Sequence, residues 1–230
     1  MSATAVNLPA SSLRFWQTTV GKKAIMAVTG FILFGFVMGH LLGNLQVFKG
    51  PEKLNHYAAL LKSLPALLWG TRITLLVAVG LHIWSSFELW LLQREARPIK
   101  YVKKENLNST YASRTMLWSG PIILAFVIWH LLQFTFGAVH PGAPFDERNV
   151  YNNVVLGFQV WPVSLFYIIA MTMLCYHLYH GLWSMFQSLG FSHPVYTPWF
   201  RVLAKIVAIV IAIGYISIPV AILAGFIKPV

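Results

Sequence analysis

The sequence predicts an all-α integral membrane protein: five transmembrane helices, the first four forming a bundle with the fifth beside it, in a single membrane domain spanning residues 1–230. Three observations predict it. Of the 230 residues 57% are apolar and only 10% charged, with a mean hydropathy of +0.67, whereas a soluble domain carries about a quarter charged residues. The apolar residues gather into five runs of the length that spans a hydrocarbon core, ~20 residues as a helix. The charges fall mainly between those runs. Backbone that crosses lipid must satisfy its own hydrogen bonds, so unbroken runs of this length are helical.

The spans are expected at about residues 24–45, 66–92, 116–139, 160–189 and 202–227. The first run is too long for a signal-peptide core and lacks a small-x-small exit, so it reads as a retained helix. After it, Gly50 to Leu64 reads as a short amphipathic helix on the membrane surface, with Leu54, Tyr57, Leu60 and Leu61 on its apolar face. Pro121 and Pro162 fall in the expected first turns of the third and fourth spans, where proline is tolerated, and Pro219 marks a kink in the fifth. The stretch from His140 to Asn153, polar with proline and glycine, reads as an extramembrane loop.

Charge sets the expected orientation. The formal net charge is +11, and the cations sit where loops face anionic lipid and partner proteins, not in a nucleic-acid-binding pattern. Arg14, Lys22, Lys23, Arg94, Arg97, Lys100, Lys103, Lys104, Arg114, Arg201 and Lys205 fall on one side; Lys49, Lys53, Lys62, Arg72, Arg148 and Lys228 fall on the other. The positive-inside rule then puts the N-terminus in the cytoplasm and the C-terminus outside. The single cysteine, Cys175, excludes an internal disulfide, a Cys-ligated iron–sulfur cluster and covalent C-x-x-C-H haem attachment.

The chemistry is carried by histidines. Of eight in the chain, His40, His82, His130 and His177 each lie within a different one of the first four spans, and His180 follows His177 by one turn. Ionisable side chains inside membrane helices are costly and mark function. At a rise of ~1.5 Å per residue, His40 and His130 lie about 26 and 20 Å from the cytoplasmic edge, whereas His82 and His177 lie about 20 and 26 Å below the outer one. In a core of ~30 Å, His40 and His130 share an outer layer, and His82 and His177 an inner layer. Two facing histidines at each of two depths is what two bis-histidine b haems require, because iron takes its axial ligands from opposite sides and so from different helices. His177 is the expected ligand. His180, about 30 Å down, reaches the interface, where an imidazole can meet water or a propionate. His56, His140 and His193 read as ordinary interfacial residues.

Gly35, Gly39 and Gly43 follow small-xxx-small spacing around His40, and Gly80 lies two residues from His82; such glycines admit a close partner, whether a helix or a porphyrin. By depth, Arg72, Asn44 and Gln46 are outer candidates to meet haem propionates, and Arg114, His180 and Lys205 inner ones. Glu88, late in the second span, is expected to snorkel to the cytoplasmic surface. No phosphate-binding loop, dinucleotide fingerprint, metalloprotease motif or nucleophile elbow is present. Haem without an open coordination site moves electrons. The lipid-soluble partner for that task is a quinone, and the other partner is a protein docked on the basic face.

The segments Val20-Gly-Lys-Lys-Ala-Ile-Met-Ala-Val-Thr-Gly30, His40-Leu-Leu-Gly-Asn-Leu45, Leu54-Asn-His-Tyr57, Leu61-Lys-Ser63 and His177-Leu-Tyr-His-Gly-Leu-Trp-Ser-Met-Phe-Gln187 carry a resemblance. From about Ser12 to the end of the fifth span, the chain resembles the five-helix dihaem cytochrome b anchor subunit (b558 family) of succinate dehydrogenases and fumarate reductases. The resemblance implies a multi-pass subunit of the bacterial inner (cytoplasmic) membrane, anchoring a flavoprotein subunit and an iron–sulfur subunit on its cytoplasmic side. It implies respiratory complex II of the tricarboxylic acid cycle, with dicarboxylate chemistry on the flavoprotein and none on this chain. It implies axial ligand pairs His40 with His130 and His82 with His177. Family members of this plan use menaquinone more often than ubiquinone. Two other readings stay open at this point: the cytochrome b of a hydrogenase or formate dehydrogenase, and a haem-free transporter whose buried histidines relay protons.

Overall fold

The computed structural model describes residues 14–97, 99 and 109–230; Ser12, Lys100, Lys103 and Lys104, invoked above, lie outside the described residues. The described chain folds into α1 (Thr19–Asn44), α2 (Pro51–Lys62), α3 (Pro65–Glu95), α4 (Tyr111–Phe134), α5 (Val150–Gln159), α6 (Trp161–Ser188) and α7 (Thr197–Leu223). Five of these, α1, α3, α4, α6 and α7, are long and apolar enough to cross a membrane. No strand occurs among the described residues. The chain is an all-α, multi-pass membrane protein.

Helices α1, α3, α4 and α7 each start before the apolar run does. Thr18 caps α1, its Oγ1 accepting from Gly21 N at 3.0 Å, so Lys22 and Lys23 belong to the helix. Thr110 caps α4 in the same way, accepting from Ser113 N at 3.1 Å. A hydroxyl at that position satisfies one of the orphan N–H groups of the first turn. Because α4 starts at Tyr111, Pro121 lies in the helix interior and not, as expected, in its first turn. Hydropathy sees only where the apolar run begins; the cap lies one polar turn earlier. Pro162 does sit in the first turn of α6, and Pro219 lies inside α7.

The connection from His140 to Asn153 is also not loop throughout. Asn149 Oδ1 accepts from Asn152 N at 3.1 Å and starts α5 at Val150. Helix α5 packs against α2, α6 and α7. Asn55 of α2 fastens the two short helices together: its Oδ1 accepts from Tyr151 N at 2.9 Å and its Nδ2 donates to Asn149 Oδ1 at 3.2 Å. The amphipathic α2 buries Leu54, leaves Leu60 half exposed, and brings Tyr57 against α1 at Gly43. A Cβ on Gly43 would stand 2.7 Å from the Tyr57 ring, so that approach needs glycine. By contrast nothing lies within 4 Å of a Cβ built on Gly35, Gly39 or Gly80.

The long helices pack as α3 on α1, α1 on α6, and α4 and α7 on α6. Between α3 and α4 no comparable packing occurs among the described residues. Two apolar clusters hold the arrangement: Phe126, Val155, Tyr167 and Ile218 join α4, α5, α6 and α7, and Leu41, Leu182, Ala208 and Ile211 join α1, α6 and α7. Lipid tails are as apolar as leucine, so close packing and interhelical polar contacts, not the hydrophobic effect, hold such helices together. One polar contact is the Lys22–Glu88 ion pair at 2.7 Å. Glu88, with its side chain still 35% exposed, meets there a lysine of α1 that is itself almost fully buried. Desolvating an ammonium without a counter-charge is too costly.

Candidate functional site: two histidine pairs across the bundle

Helices α1 and α4, and likewise α3 and α6, do not pack against each other substantially among the described residues. Their histidines nevertheless meet across the bundle. The imidazole of His40 on α1 lies 5.7 Å from that of His130 on α4, centroid to centroid, with the ring planes 83° apart. His82 on α3 lies 6.2 Å from His177 on α6, with planes 54° apart. These are the two pairs that sequence depth grouped into layers. His180 is not opposite His82; it turns toward Trp183, at 5.5 Å. His140 and His193 are exposed, and so is His56.

The surroundings of each ring were not legible in the sequence. Thr29 Oγ1 lies 3.2 Å from His82 Nδ1 and 2.7 Å from the Ile25 carbonyl oxygen. Ser119 Oγ lies 3.3 Å from His177 Nδ1 and 3.4 Å from the Met116 carbonyl oxygen. Tyr167 OH lies 3.3 Å from His130 Nδ1 and donates to Gln133 Oε1 at 3.0 Å. A hydroxyl has one proton to give, and in each case a carbonyl-type oxygen stands ready to take it. With its proton placed there, the hydroxyl oxygen is free to accept from Nδ1–H, the arrangement that would present Nε2 to a ligand.

More residues shape the pairs. Phe36 stacks on His40 at 5.2 Å and 14°. Phe126 and Phe134 lie against His130 at 5.8 and 5.6 Å. Tyr215 of the fifth span comes within 6.3 Å of His40 and donates to the Val37 carbonyl oxygen at 2.8 Å. Trp129 Nε1 donates to Gln133 Oε1 at 3.1 Å, so Gln133 anchors the group behind His130. Gly30 admits the His82 ring to α1: a Cβ there would stand 3.3 Å from His82 Cε1. The only signal in the sequence for Thr29, Ser119, Tyr167 and Gln133 is that polar groups recur inside apolar runs, where each needs a partner.

Does this donor set fit the group expected from the sequence? A metal–imidazole bond is about 2.0–2.1 Å, so one metal held by both rings of a pair would need ring centroids roughly 6.4 Å apart. His82 and His177, at 6.2 Å, stand near that separation, and His40 and His130, at 5.7 Å, stand inside it. Three of the four rings have their other nitrogen engaged by a hydroxyl, as metal-ligating histidines generally do. The two pairs therefore fit two bis-imidazole haems.

The depth-based propionate candidates fare unevenly. Asn44 Nδ2 donates to the His40 carbonyl oxygen at 2.7 Å, Arg72 lies over the Trp69 ring at 5.0 Å, and Arg114 donates to the Ser109 carbonyl oxygen at 3.0 Å. Gln46 is half-buried, and Lys205 is exposed. No family model, curated protein or solved structure matches the chain.

Proposed function

We propose that the chain is the membrane-anchor cytochrome b subunit of a succinate:quinone oxidoreductase, with two b haems held by His40 with His130 and by His82 with His177. The observation that carries this reading is the pair of imidazole contacts, with ring centroids 5.7 and 6.2 Å apart, each joining helices that pack little otherwise among the described residues. Haem held by both histidines of a pair would supply one-electron transfer.

The protein's own residues do the rest. The four histidines would hold the haems, Thr29, Ser119 and Tyr167 orient three of the rings, and Phe36, Phe126 and Phe134 pack against the His40–His130 pair. The end of the bundle that carries Lys22, Arg94, Arg114 and Arg201 is assigned to the cytoplasm, in a bacterial inner membrane, and there receives the flavoprotein and iron–sulfur subunits. A membrane quinone, menaquinone before ubiquinone, is the lipid-side partner. What specifies succinate dehydrogenase over another cytochrome b is the motif resemblance, with one histidine on each of four consecutive spans.

The test is haem per polypeptide on the detergent-purified complex, by pyridine haemochrome assay with a reduced-minus-oxidised spectrum and identification of co-purifying subunits. About two b haems per chain, with a flavoprotein and an iron–sulfur protein, is the expected result. About one haem means that one pair is structural, and a colourless preparation that takes up no haem refutes the reading.

A further inference from the structure

Among the described residues three buried side-chain polar atoms have no hydrogen-bond partner: Gln133 Nε2, His180 Nδ1 and Trp183 Nε1. Buried polar groups are normally paired, and each exception needs an explanation. Gln133 has a simple one. It borders a cavity beneath the connection after α4, lined also by His140 and Asn153 and about one water in size.

The other two stand together. His180 and Trp183 are one turn apart on α6, with ring centroids 5.5 Å apart at 88°. An indole N–H can only donate, so its partner must be an acceptor. The guanidinium of Arg201, on α7, lies 4.5 Å from the Trp183 ring centroid and makes the surroundings positive. No acidic side chain of the described residues answers this: the nearest acid by depth, Glu88, is bound to Lys22. The Trp183 N–H needs an acceptor, His180 Nδ1 beside it can donate as well, and the guanidinium favours an anionic group that no described residue supplies. His180 follows His177 by a single turn, on the side toward the Lys22 end of the bundle.

We infer that His180 Nδ1 and Trp183 Nε1, backed by the Arg201 guanidinium, receive a propionate carboxylate of the haem held by His82 and His177. This rests on the dihaem reading above. It selects His180 from the depth-based candidates and adds two residues that the sequence did not single out. The same chemistry could be met by the phosphate of an anionic lipid, so the test separates the two sources. An unneutralised propionate favours ferric iron, so removing its donors lowers the midpoint potential of that haem alone.

The experiment is a redox titration of both haems in the purified complex, with haem content and bound lipid measured on the same samples. The variants are Trp183→Phe, which keeps the ring beneath Arg201 but removes its N–H, His180→Leu, and His180→Gln, which keeps an N–H. Expected for Trp183→Phe and His180→Leu are two haems per chain and about a tenfold shift of one haem's equilibrium toward the oxidised form, ~59 mV for one electron. His180→Gln should return the potential toward that of the wild type. Two haems with both potentials unmoved would overturn the inference while leaving the dihaem reading intact. So would a shift in the haem of His40 and His130, or loss of a co-purifying anionic lipid without any shift in potential. A wild-type preparation lacking b-type bands would remove both readings at once.

Discussion

Thr29 offers the sharpest handle on the His82–His177 pair, because one atom can be exchanged there without changing shape. Thr29→Val replaces Oγ1 by a methyl group of nearly equal volume at a buried position on α1. His82 Nδ1, 3.2 Å away, then faces carbon and loses that partner. A hydrogen bond of this kind contributes about 0.5–1.5 kcal/mol. Loss of the group that orients a metal-ligating histidine typically weakens the site about 10–100-fold, which is about 1.4–2.8 kcal/mol. The assay is haem release from the purified complex to excess apomyoglobin, followed in the visible spectrum. One haem should leave about tenfold faster, and the haem of His40 and His130 should leave at its wild-type rate. Thr29→Ser, which restores a hydroxyl, should release both at nearly wild-type rates. Equal acceleration of both haems by Thr29→Val would falsify the claim that this hydroxyl serves one ring, because a general loosening of α1 would explain it better.

Three more outcomes are expected. His82→Ala or His177→Ala should each remove one and the same haem, and His40→Ala or His130→Ala the other, as read by the haemochrome ratio and by which b-type band disappears. Gly43→Val should drive a side chain into the Tyr57 ring, at the position where even a Cβ stands 2.7 Å away. It should cost about 1–3 kcal/mol of stability as overpacking, seen as a lower temperature of unfolding in detergent. Lys22→Met should destabilise the bundle by about 1–3 kcal/mol by stranding Glu88, which is only partly exposed. The Lys22→Met, Glu88→Gln double variant should recover most of that loss in the same thermal assay, because it removes both charges together.

What was legible in the sequence follows the physics of the solvent. Lipid imposes a length and a composition on any helix that crosses it, so five runs could be counted and α3 and α6 located to within a few residues at each end. Histidine inside such a run is rare enough to be read by depth alone, which grouped His40 with His130 and His82 with His177 before any contact was known. The helix ends that matter locally were not legible from hydropathy. Thr110 and Asn149 start α4 and α5 by side-chain capping, a signal of one residue within polar stretches, and missing it displaced Pro121 and left the His140–Asn153 connection as loop throughout. Lys22 was misread for the opposite reason. Counting it as a loop cation concealed that it is buried and paired across α1 and α3.

The residues behind the histidines also discriminate between electron transfer and proton relay. A relay needs each imidazole to take a proton on one nitrogen and pass it from the other to a group that can release it. Here the hydroxyl behind His82 ends on the Ile25 backbone oxygen, that behind His177 reaches the Met116 backbone oxygen, and Tyr167 ends on the amide oxygen of Gln133. Amide oxygens accept hydrogen bonds but do not carry protons onward, so all three paths stop within one residue of the ring. Hydroxyls placed behind Nδ1 in this way suit rings that must hold one orientation. These three rings have no onward proton path through their hydroxyls, which supports the proposed haem reading over a proton relay.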